Sequence, residues 1–582
     1  MSKKKRDFWG VGEALGSQTS GVDAKTFKGE KNEREPRNIW GWVAGGMALV
    51  VIVGAAVALN LYYHHNGDNA SNIAGSIDID NGDTKINWDR YGTTEVNLDE
   101  VEGAYNITAS GTYVLTGSLE GLVTVNADKN EGQVRIILRD ATIKNTDGPA
   151  IACYTADDLV IELEGENALE DGAAYSGNYD ADVTGVIYSK SDLSFAGDGK
   201  LTLTANYQDG IVGKDDLKFN SGTYEITAKD DGIRGTDSVY VVNGDFAINA
   251  TGDGIKSTNE TDTAKGFVLI EGGEFTITAG AKGVKAINSI LIYSGDFAIN
   301  STDDAVHSNN YVGITGGALA IASGDDGIHA DARLIIDGGK IAITKSYEGL
   351  EAQKISVNGG EISIMANDDG MNAGGGADAS ATNRVGAGAF DMDENCEIVI
   401  NGGSVYVNAA GDGVDSNGYV YFNGGKVVVD GPTNNGNGAL DAGAGIVMNG
   451  GTVIAVGASG MAETLGANSA IYNVSVYFTT TLAKGTLVEI KDSAGETVIS
   501  HTSAKTFSHL AAGTDKFVNG GTYTIYVNGE KYEEFTITSV TTTVGNSNGN
   551  FQNMNAAGQG GQTGGQATGQ GGQAAGQMRR QQ

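Results

Sequence analysis

Proline and cysteine are both scarce in this sequence, with three prolines and two cysteines among 582 residues. Cys153 and Cys396 lie far apart and form no CxxC pair, so the sequence contains no disulfide framework. We interpret both as small buried apolar residues. A chain with so few covalent links gains its stability elsewhere, and stacking of repeats or bound metal would supply it.

Basic residues are few relative to acidic ones, at 38 against 73, and the net charge is −35. Phosphate recognition needs clustered Lys and Arg, so this balance argues against a nucleic acid partner. The sequence also lacks a Walker loop, an HExxH zinc motif, a nucleotide fingerprint and a nucleophile elbow. The acid excess suits a protein that binds cations, although a solvated acidic surface would have the same composition.

Long apolar runs are absent except for Asn38–Tyr63, which carries no charge and has aromatic residues at both ends. This run predicts a transmembrane anchor at 39–63. The basic segment 1–38 is then cytoplasmic and the bulk of the chain extracellular, as in a single-pass protein of the cell membrane. The small residues Ala56–Ala58 fit a signal-peptide cleavage site, and that alternative stays open.

Glycine is abundant, with 89 residues, and much of it belongs to a repeated turn such as "GDDGIHA" at Gly324–Ala330. The second acid of this motif, or its substitute, recurs at a spacing of about 22 residues. A second turn such as "DGG" at Asp337 keeps the same spacing, and alternating apolar runs such as Arg333–Asp337 and Lys340–Thr344 flank it. Three short strands and three turns per repeat predict one coil of a parallel β-helix.

The predicted fold class is therefore all-β. We expect a linker at 64–83, then a right-handed parallel β-helix of roughly 14 coils at 84–470. Residues 471–545 read as a small β domain that caps the last coil, and the Gly/Gln-rich 546–582 as a disordered tail. A leucine-rich repeat would need a leucine ladder, and a propeller blade would need about twice the repeat length.

Stacked coils place equivalent residues about 4.8 Å apart, so the turn acids form a row. Like charges at that distance repel by about 3.5 kcal/mol at an effective dielectric of about 20. A lone Asp before Gly is explained by turn preference, but the Asp-Asp doublets are not. We therefore predict Ca²⁺ on this row, which Lys282 interrupts. The predicted ligands are Asp209, Asp230, Asp231, Asp253, Asp303, Asp304, Asp325, Asp326, Glu348, Asp368, Asp369 and Asp412.

A second row follows two residues after each turn glycine, on the outward side of the strand. This outward row changes from basic to acidic along the chain. Two stacked histidines beside four aspartates, as predicted here for His307 and His329, suit either a transition metal or ordinary hydrogen bonds. The members of the outward row are Arg234, Lys256, Lys285, His307, His329, Glu351, Asn372 and Asp415.

The segments "ITASGTYVLTGSLEGLVTVNA" (Ile107–Ala127) and "VRIILRDATIKNTDGPAIAC" (Val134–Cys153), followed by the "DDGI" coils, resemble exported bacterial β-helix proteins known as carbohydrate-binding domain-containing proteins. That family is related to the family 9 pectate-lyase-like β-helices. The resemblance implies a calcium-loaded β-helix that binds plant-type polysaccharide, cellulosic or acidic. By analogy the ligands would be Asp230, Asp231, Asp253, Asp303, Asp304, Asp325, Asp326, Asp368 and Asp369.

Three functions fit these observations. The first is a non-catalytic, calcium-dependent carbohydrate-binding protein of the cell surface, with Tyr207, Tyr311, Tyr347, His307 and His329 as candidate sugar contacts. The second is a polysaccharide lyase, in which Lys256 or Lys285 beside Ca²⁺ acts as the base. The third is a structural surface adhesin in which the acid row serves stability alone.

Overall fold

The computed structural model describes residues 87–130, 132–176, 179–374 and 392–546, all of which belong to one compact unit, 68–582. Within these ranges the secondary structure consists of 45 strands and two short 3-10 helices, Trp88–Arg90 and Leu98–Glu100. The predicted all-β class is confirmed.

The described ranges contain no helix that is long and apolar enough to cross a membrane. Their apolar residues are instead distributed over short strands that alternate between buried and more exposed positions, as in β16 (Asp245–Ala250). This finding contradicts the predicted single-pass location in the cell membrane, which is corrected accordingly. The predicted anchor at 39–63, the basic segment 1–38 and the linker 64–83 lie outside the described residues.

Most strands pair in parallel, in register, with the strand three positions further along the chain, and this pairing builds three ladders. Ladder I contains β2 (Gly103–Ile107), the end of β3 (Gly111–Asn126), β5 (Ile151–Thr155), β8 (Gly185–Ser189), β11 (Asp209–Gly213), β14 (Ile233–Gly235), β17 (Ile255–Ser257), β20 (Val284–Ala286), β23 (Val306–Ser308), the start of β26 (Ile328–Ile336), the start of β28 (Leu350–Val357), β30 (Met371–Ala373), β33 (Val414–Ser416) and β36 (Leu440–Ala442).

Ladder II contains β1 (Thr93–Asn97), the start of β3, the start of β4 (Val134–Lys144), β6 (Asp158–Glu164), β9 (Asp192–Gly197), β12 (Asp216–Phe219), β15 (Ser238–Val241), β18 (Phe267–Ile270), β21 (Ser289–Ile292), β24 (Tyr311–Ile314), the ends of β26 and β28, β31 (Glu397–Ile400), β34 (Tyr419–Phe422) and β37 (Gly445–Met448).

Ladder III contains the middle of β3, the end of β4, β7 (Glu166–Glu170), β10 (Lys200–Ala205), β13 (Thr223–Ala228), β16, β19 (Glu274–Ala279), β22 (Asp296–Ser301), β25 (Ala318–Ala322), β27 (Lys340–Lys345), β29 (Glu361–Ala366), β32 (Ser404–Ala409), β35 (Lys426–Asp430) and β38 (Thr452–Gly457). The chain passes through the three ladders in a fixed order, and we call one such passage a coil.

The register of ladder I matches the predicted inward positions. Ile233, Ile255, Val284, Val306, Ile328, Leu350, Met371 and Val414 pair successively and are all fully buried. Met371 pairs directly with Val414, so β30 and β33 belong to neighbouring coils although their separation in sequence is nearly two repeats. Burial of these apolar rows removes apolar surface from water, which is the main driving force for folding.

Aromatic residues on ladder III form a stack in the core between the ladders. The rings of Tyr224, Phe246, Phe275 and Phe297 follow one another with centroid separations of 4.8, 4.9 and 4.5 Å. Their planes lie within 11° of parallel at each step. Identical slots in successive coils favour such stacking, which adds about 0.5 to 1.5 kcal/mol per pair beyond area burial.

The glycine that follows most of the acid doublets has a packing role. A Cβ atom at Gly327 would lie 2.6 Å from the carbonyl oxygen of Gly349 in the next coil, which is closer than van der Waals contact allows. Gly339, in the second turn of the same coil, has a φ of 90°, which L-residues with a side chain rarely adopt. Glycine therefore suits the two turns of this coil for different reasons, although Ala305 occupies the position equivalent to Gly327 one coil earlier.

The last coil is followed by strands that no longer keep the repeat. β39 (Asn473–Leu482) pairs antiparallel with β42 (Phe507–Thr514), which also pairs antiparallel with β38, and β39 pairs in parallel with β45 (Thr541–Val544). A separate antiparallel sheet contains β41 (Thr497–Thr502), β40 (Leu487–Asp492), β43 (Thr522–Val527) and β44 (Glu530–Thr536) in that order. Because β42 pairs with β38, the edge of ladder III is covered at this end.

Candidate functional site

The turn acids that precede ladder I form a continuous row from coil to coil, and we call this set the acid row. In most steps one carboxylate oxygen accepts a hydrogen bond from the backbone N–H of the same slot one coil later. These bonds run from Asp231 to Asp209 (3.1 Å), Asp253 to Asp231 (2.9 Å), Lys282 to Asp253 (3.0 Å), Asp326 to Asp304 (2.9 Å), Glu348 to Asp326 (3.3 Å) and Asp412 to Asp369 (2.6 Å).

The first acids of the doublets, Asp230, Asp303, Asp325 and Asp368, lie beside this row. Oxygens of both members of a doublet converge on the glycine of the next turn: a Cβ at Gly252 would clash with Asp230 and Asp231, and one at Gly411 with Asp368 and Asp369. Asp303, Asp304 and Asp325 also bring carboxylate oxygens within 4.8 Å of one another, as do Asp209, Asp230 and Asp231.

The first half of the acid row is paired with basic side chains of the outward row. Arg234 Nη2 lies 2.7 Å from Asp209 Oδ2, and Lys256 Nζ lies 2.5 Å from Asp231 Oδ2 and 3.3 Å from Asp253 Oδ2. Each cation therefore meets the carboxylate oxygen that the backbone hydrogen bond leaves available. We call Asp209 to Asp304 the paired half.

Lys282 occupies one of the acid positions and pairs with Asp303 and Asp304, the last acids of the paired half. Its Nζ lies 3.1 Å from Asp303 Oδ1 and 2.6 Å from Asp304 Oδ2, and His307 Nδ1 lies 2.8 Å from the same Asp304 oxygen. Burial alone would raise the pKa of Asp304, but the hydrogen bond from His307 and the charge of Lys282 hold it well below its usual value.

The same contacts bear on the lysines proposed as lyase bases. Burial lowers the pKa of Lys256, but its contacts with Asp231 and Asp253 more than offset this, and the net pKa is raised. A lysine that acts as a base near neutral pH needs the opposite shift. Lys285 is half-buried and pairs in register with Lys256 and His307.

His307 and His329 stack as predicted, with ring centroids 4.8 Å apart and planes 12° from parallel. Both side chains are buried, with 3% and 0% of their surface exposed. Neither ring therefore offers a face to a sugar in this conformation. Their partners are acids: Asp304 for His307, and Asp326, Asp331 and Glu351 for His329.

In the part of the chain that the structure describes, the later half of the row lacks such basic partners. No described Lys, Arg or His forms an ion pair with Asp369, Asp412, Asp415, Asp441 or Glu463. Asp412 also accepts a hydrogen bond from the backbone N–H of Gly438. We call these five acids, together with Asp368, the unpaired half.

Five buried or half-buried acids of this set, Asp369, Asp412, Asp415, Asp441 and Glu463, have raised pKa values. Burial, followed by repulsion from neighbouring acids, raises the pKa of Asp369, Asp415 and Glu463 to about 8 each and that of Asp412 to about 7. The pKa of Asp441 is raised by burial as well. The protein thus concentrates carboxyl groups in an environment that opposes their ionisation.

This set of donors is chemically matched to a hard cation. Carboxylate oxygens on turns are the ligands that Ca²⁺ prefers, and a divalent ion would offset the repulsion that raises these pKa values. Of the predicted ligands, Asp368, Asp369 and Asp412 belong here, whereas Glu348 accepts a hydrogen bond from Asn372 Nδ2 at 2.8 Å. The predicted ligands did not include Asp415, which the sequence placed on the outward row, nor Asp441 and Glu463. Extension of the repeat spacing beyond Asp412 would have placed the last two beside the acid row.

The candidate sugar-contacting tyrosines do not form one surface. Tyr207 stacks on Tyr175, with ring centroids 4.4 Å apart and planes 28° from parallel. Tyr347 lies in the turn equivalent to that of Tyr207, six coils later and therefore roughly 29 Å away. Tyr311 begins β24 of ladder II. All three predicted tyrosines are half-buried.

Comparison with known proteins gives a consistent similarity. The family model "Carbohydrate-binding domain-containing protein" matches residues 101–370. The chain resembles carbohydrate-binding proteins over this segment. A relative of the same description from Acetivibrio thermocellus is 30% identical over 149 residues, which cover 24% of this chain and 52% of the relative. The chain thus spans about half the length of that curated relative.

One solved structure also matches, that of a polysaccharide lyase-like protein from C. thermocellum as a gadolinium derivative. It is 28% identical, with a TM-score of 0.37, and the match covers 38% of this chain and 96% of that protein.

Proposed function

We propose that this chain is a non-catalytic, calcium-dependent carbohydrate-binding protein built on a right-handed parallel β-helix. The observation that carries this proposal is the family match over residues 101–370, a segment that lies within the three ladders. Three parallel ladders visited in a fixed order favour a β-helix, and crossovers between parallel strands are right-handed in nearly all proteins.

Calcium belongs in this proposal because of the unpaired half. In the paired half the positive charges are supplied by Arg234, Lys256 and Lys282. In the unpaired half the described chain supplies none, and Asp369, Asp412 and Asp415 with their neighbours provide an all-oxygen donor set for Ca²⁺. A bound ion would supply the missing charge and hold the turns of these coils together.

For the polysaccharide, cellulosic or acidic, we propose contact with the turn that carries Tyr207. An aromatic ring held by stacking on Tyr175 gives a sugar face a rigid apolar surface at little conformational cost. This turn lies within the segment that matches the carbohydrate-binding family model.

The proposal is tested by measuring retention of the full chain on a panel of cellulosic and acidic polysaccharides, with calcium and with a chelator. We expect retention that requires calcium and is weakened in Tyr207→Ala but not in the matched variant Tyr526→Ala, which changes a tyrosine of the C-terminal sheet. Failure of every polysaccharide to retain the protein, or retention that chelation leaves unchanged, contradicts the proposal.

The same samples are assayed for unsaturated uronate products by ultraviolet absorbance. We expect none, because Lys256 is held protonated by Asp231 and Asp253. Product that disappears in Lys256→Ala would identify a lyase instead.

A further inference from the structure

His329 lies at the centre of an acidic pocket that differs from both halves of the acid row. Its Nδ1 atom lies 2.9 Å from Glu351 Oε2 and 3.2 Å from Asp326 Oδ2. Its other ring nitrogen, Nε2, lies 3.0 Å from Asp331 Oδ1. Three carboxylates thus surround one imidazole ring.

This pocket is buried. His329 and Asp326 have no exposed surface, and Glu351 has 8%. One ligand-type atom each of Asp326, His329 and Glu351 lies within 4.8 Å of the other two. Buried charges persist only when they are paired, and positive charge at this point can come from a doubly protonated imidazole of His329 or from a metal ion bound at its Nδ1 atom.

The contact with Asp331 orients the ring. When Nε2–H donates to Asp331, the nitrogen that is left with a lone pair is Nδ1, and it faces Asp326 and Glu351. A histidine that ligates a metal typically donates its other ring N–H to a carboxylate in this way, which fixes the tautomer and the direction of the lone pair.

The spacing of the three atoms also fits a shared ion. Ligand atoms that each lie about 2.1 Å from one Zn²⁺ are separated from each other by about 3.0 to 3.4 Å, depending on the coordination geometry. The two separations from Nδ1 are 3.2 Å, which lies within this range, and 2.9 Å, which lies just below it. If Nδ1 carried a proton in place of a metal ion, the carboxylates of Asp326 and Glu351 would compete for that single proton.

We propose that Asp326, His329 and Glu351 form a binding site for a divalent first-row transition metal ion, with Asp331 as the residue that positions the histidine ring. The mixed nitrogen and oxygen donor set distinguishes this site from the all-oxygen unpaired half, because imidazole suits Zn²⁺ and related ions whereas Ca²⁺ takes oxygen ligands. The site does not depend on sugar binding.

Zn²⁺ is the probe in the test. The full chain is stripped of metal, returned to excess calcium and titrated with Zn²⁺ by calorimetry, and with Co²⁺ by visible absorption. We expect one Zn²⁺ equivalent to bind although calcium is in excess, and Co²⁺ to give the absorption bands of a nitrogen- and oxygen-ligated ion.

Glu351→Gln keeps the shape of the side chain and removes one charged ligand, and His329→Gln removes the nitrogen ligand, so both should abolish the Zn²⁺ site. Asp331→Asn should weaken Zn²⁺ binding by about 10- to 100-fold, as is usual for partners of metal-bound histidines. Glu361→Gln, on the exposed face of β29, is the matched control and should bind as the unchanged protein does. Thermal melts of each variant show whether it is folded.

Three outcomes overturn the proposal. The unchanged protein binds no Zn²⁺, calcium displaces it completely, or folded Glu351→Gln and His329→Gln bind it as well as the unchanged protein. Polysaccharide retention of Glu351→Gln in calcium is measured in parallel. Because it is expected to stay unchanged, a failure of the metal site is distinguishable from a failure of the proposed carbohydrate function.

Discussion

The two halves of the acid row have the same backbone and opposite electrostatics. From Asp209 to Asp304 each acid meets a cation of the chain, such as Arg234, Lys256 or Lys282. From Asp369 to Glu463 the acids meet mainly one another, and the pKa values of Asp369 and Glu463 rise to about 8. A repeat thus conserves its geometry while the source of positive charge changes from side chains to, in our proposal, bound ions.

This difference teaches that an acid repeat is not by itself a metal site. The doublet at Asp230 and Asp231 and the doublet at Asp368 and Asp369 are equivalent in sequence and in register. They differ in the residue that stands on the outward row one coil later, Lys256 in one case and Asp415 in the other. The outward row therefore decides which coils are candidates for calcium.

The largest effect is expected from Lys282→Met in the paired half. Lys282 and Asp304 are both buried, and removal of one partner from a buried ion pair typically costs about 3–5 kcal/mol in the free energy of unfolding. Lys340→Met is the control, because Lys340 and Glu361 lie 3.8 Å apart on the exposed surface, where a pair contributes at most about 1 kcal/mol. Denaturant unfolding measures both, and equal losses would show that the buried contact has no special weight.

A somewhat smaller effect is expected when calcium is removed. If calcium is present at 100 to 1,000 times its dissociation constant, chelation should lower stability by about 3–4 kcal/mol. The double variant Asp369→Asn with Asp412→Asn should lose this response, whereas Asp245→Asn, an exposed acid of β16, should keep it. Melting temperatures with calcium and with chelator measure the response. If chelation lowers the melting temperature of the double variant as much as that of the unchanged protein, calcium does not bind at the unpaired half.

A third effect is a pH dependence of the calcium-free protein. In the unfolded chain, the carboxyl groups of Asp and Glu have pKa values of about 4. In the folded state the pKa is raised to about 8 for Asp415 and to about 7 for Asp412. Between these values the folded state binds more protons than the unfolded state, so its stability falls as pH rises.

Melting temperatures in chelator should therefore decrease from about pH 5 to about pH 8. Asp415→Asn should reduce the slope and Asp245→Asn should not, while added calcium should flatten it because the ion binds the ionised acids. A slope that is identical in all three proteins would mean that the unpaired half is already ionised without calcium.

The sequence allowed the repeat, the register and the inward positions to be predicted, because period and turn chemistry are local. Ile328 and Leu350 fall one above the other because a coil has a fixed length. The partner of each acid was not predictable in the same way, since a long side chain reaches up or down by one coil. Arg234 reaches back to Asp209, whereas Lys282 reaches forward to Asp304.

The acidic surroundings of His329 show a second reason why side-chain partners could not be predicted from the sequence. Asp326 and Glu351 lie 25 residues apart in sequence, and only the ladder register brings both to the same ring nitrogen. His329 was predicted to project outward, which is correct for the strand, but Asp331 and Glu351 bury it. Burial of an outward residue depends on its neighbours in adjacent coils, which alternation along one strand does not reveal.

The hydrogen bond that each row acid accepts from the next coil has one more consequence. Asp369 receives the N–H of Asp412 through Oδ1, and an asparagine side chain carries the same acceptor at that atom. The interlocking of successive turns is therefore independent of whether the slot is ionised. Charge can therefore be added or removed one coil at a time, by exchange of an acid for its amide, while the hydrogen bond between successive turns is kept.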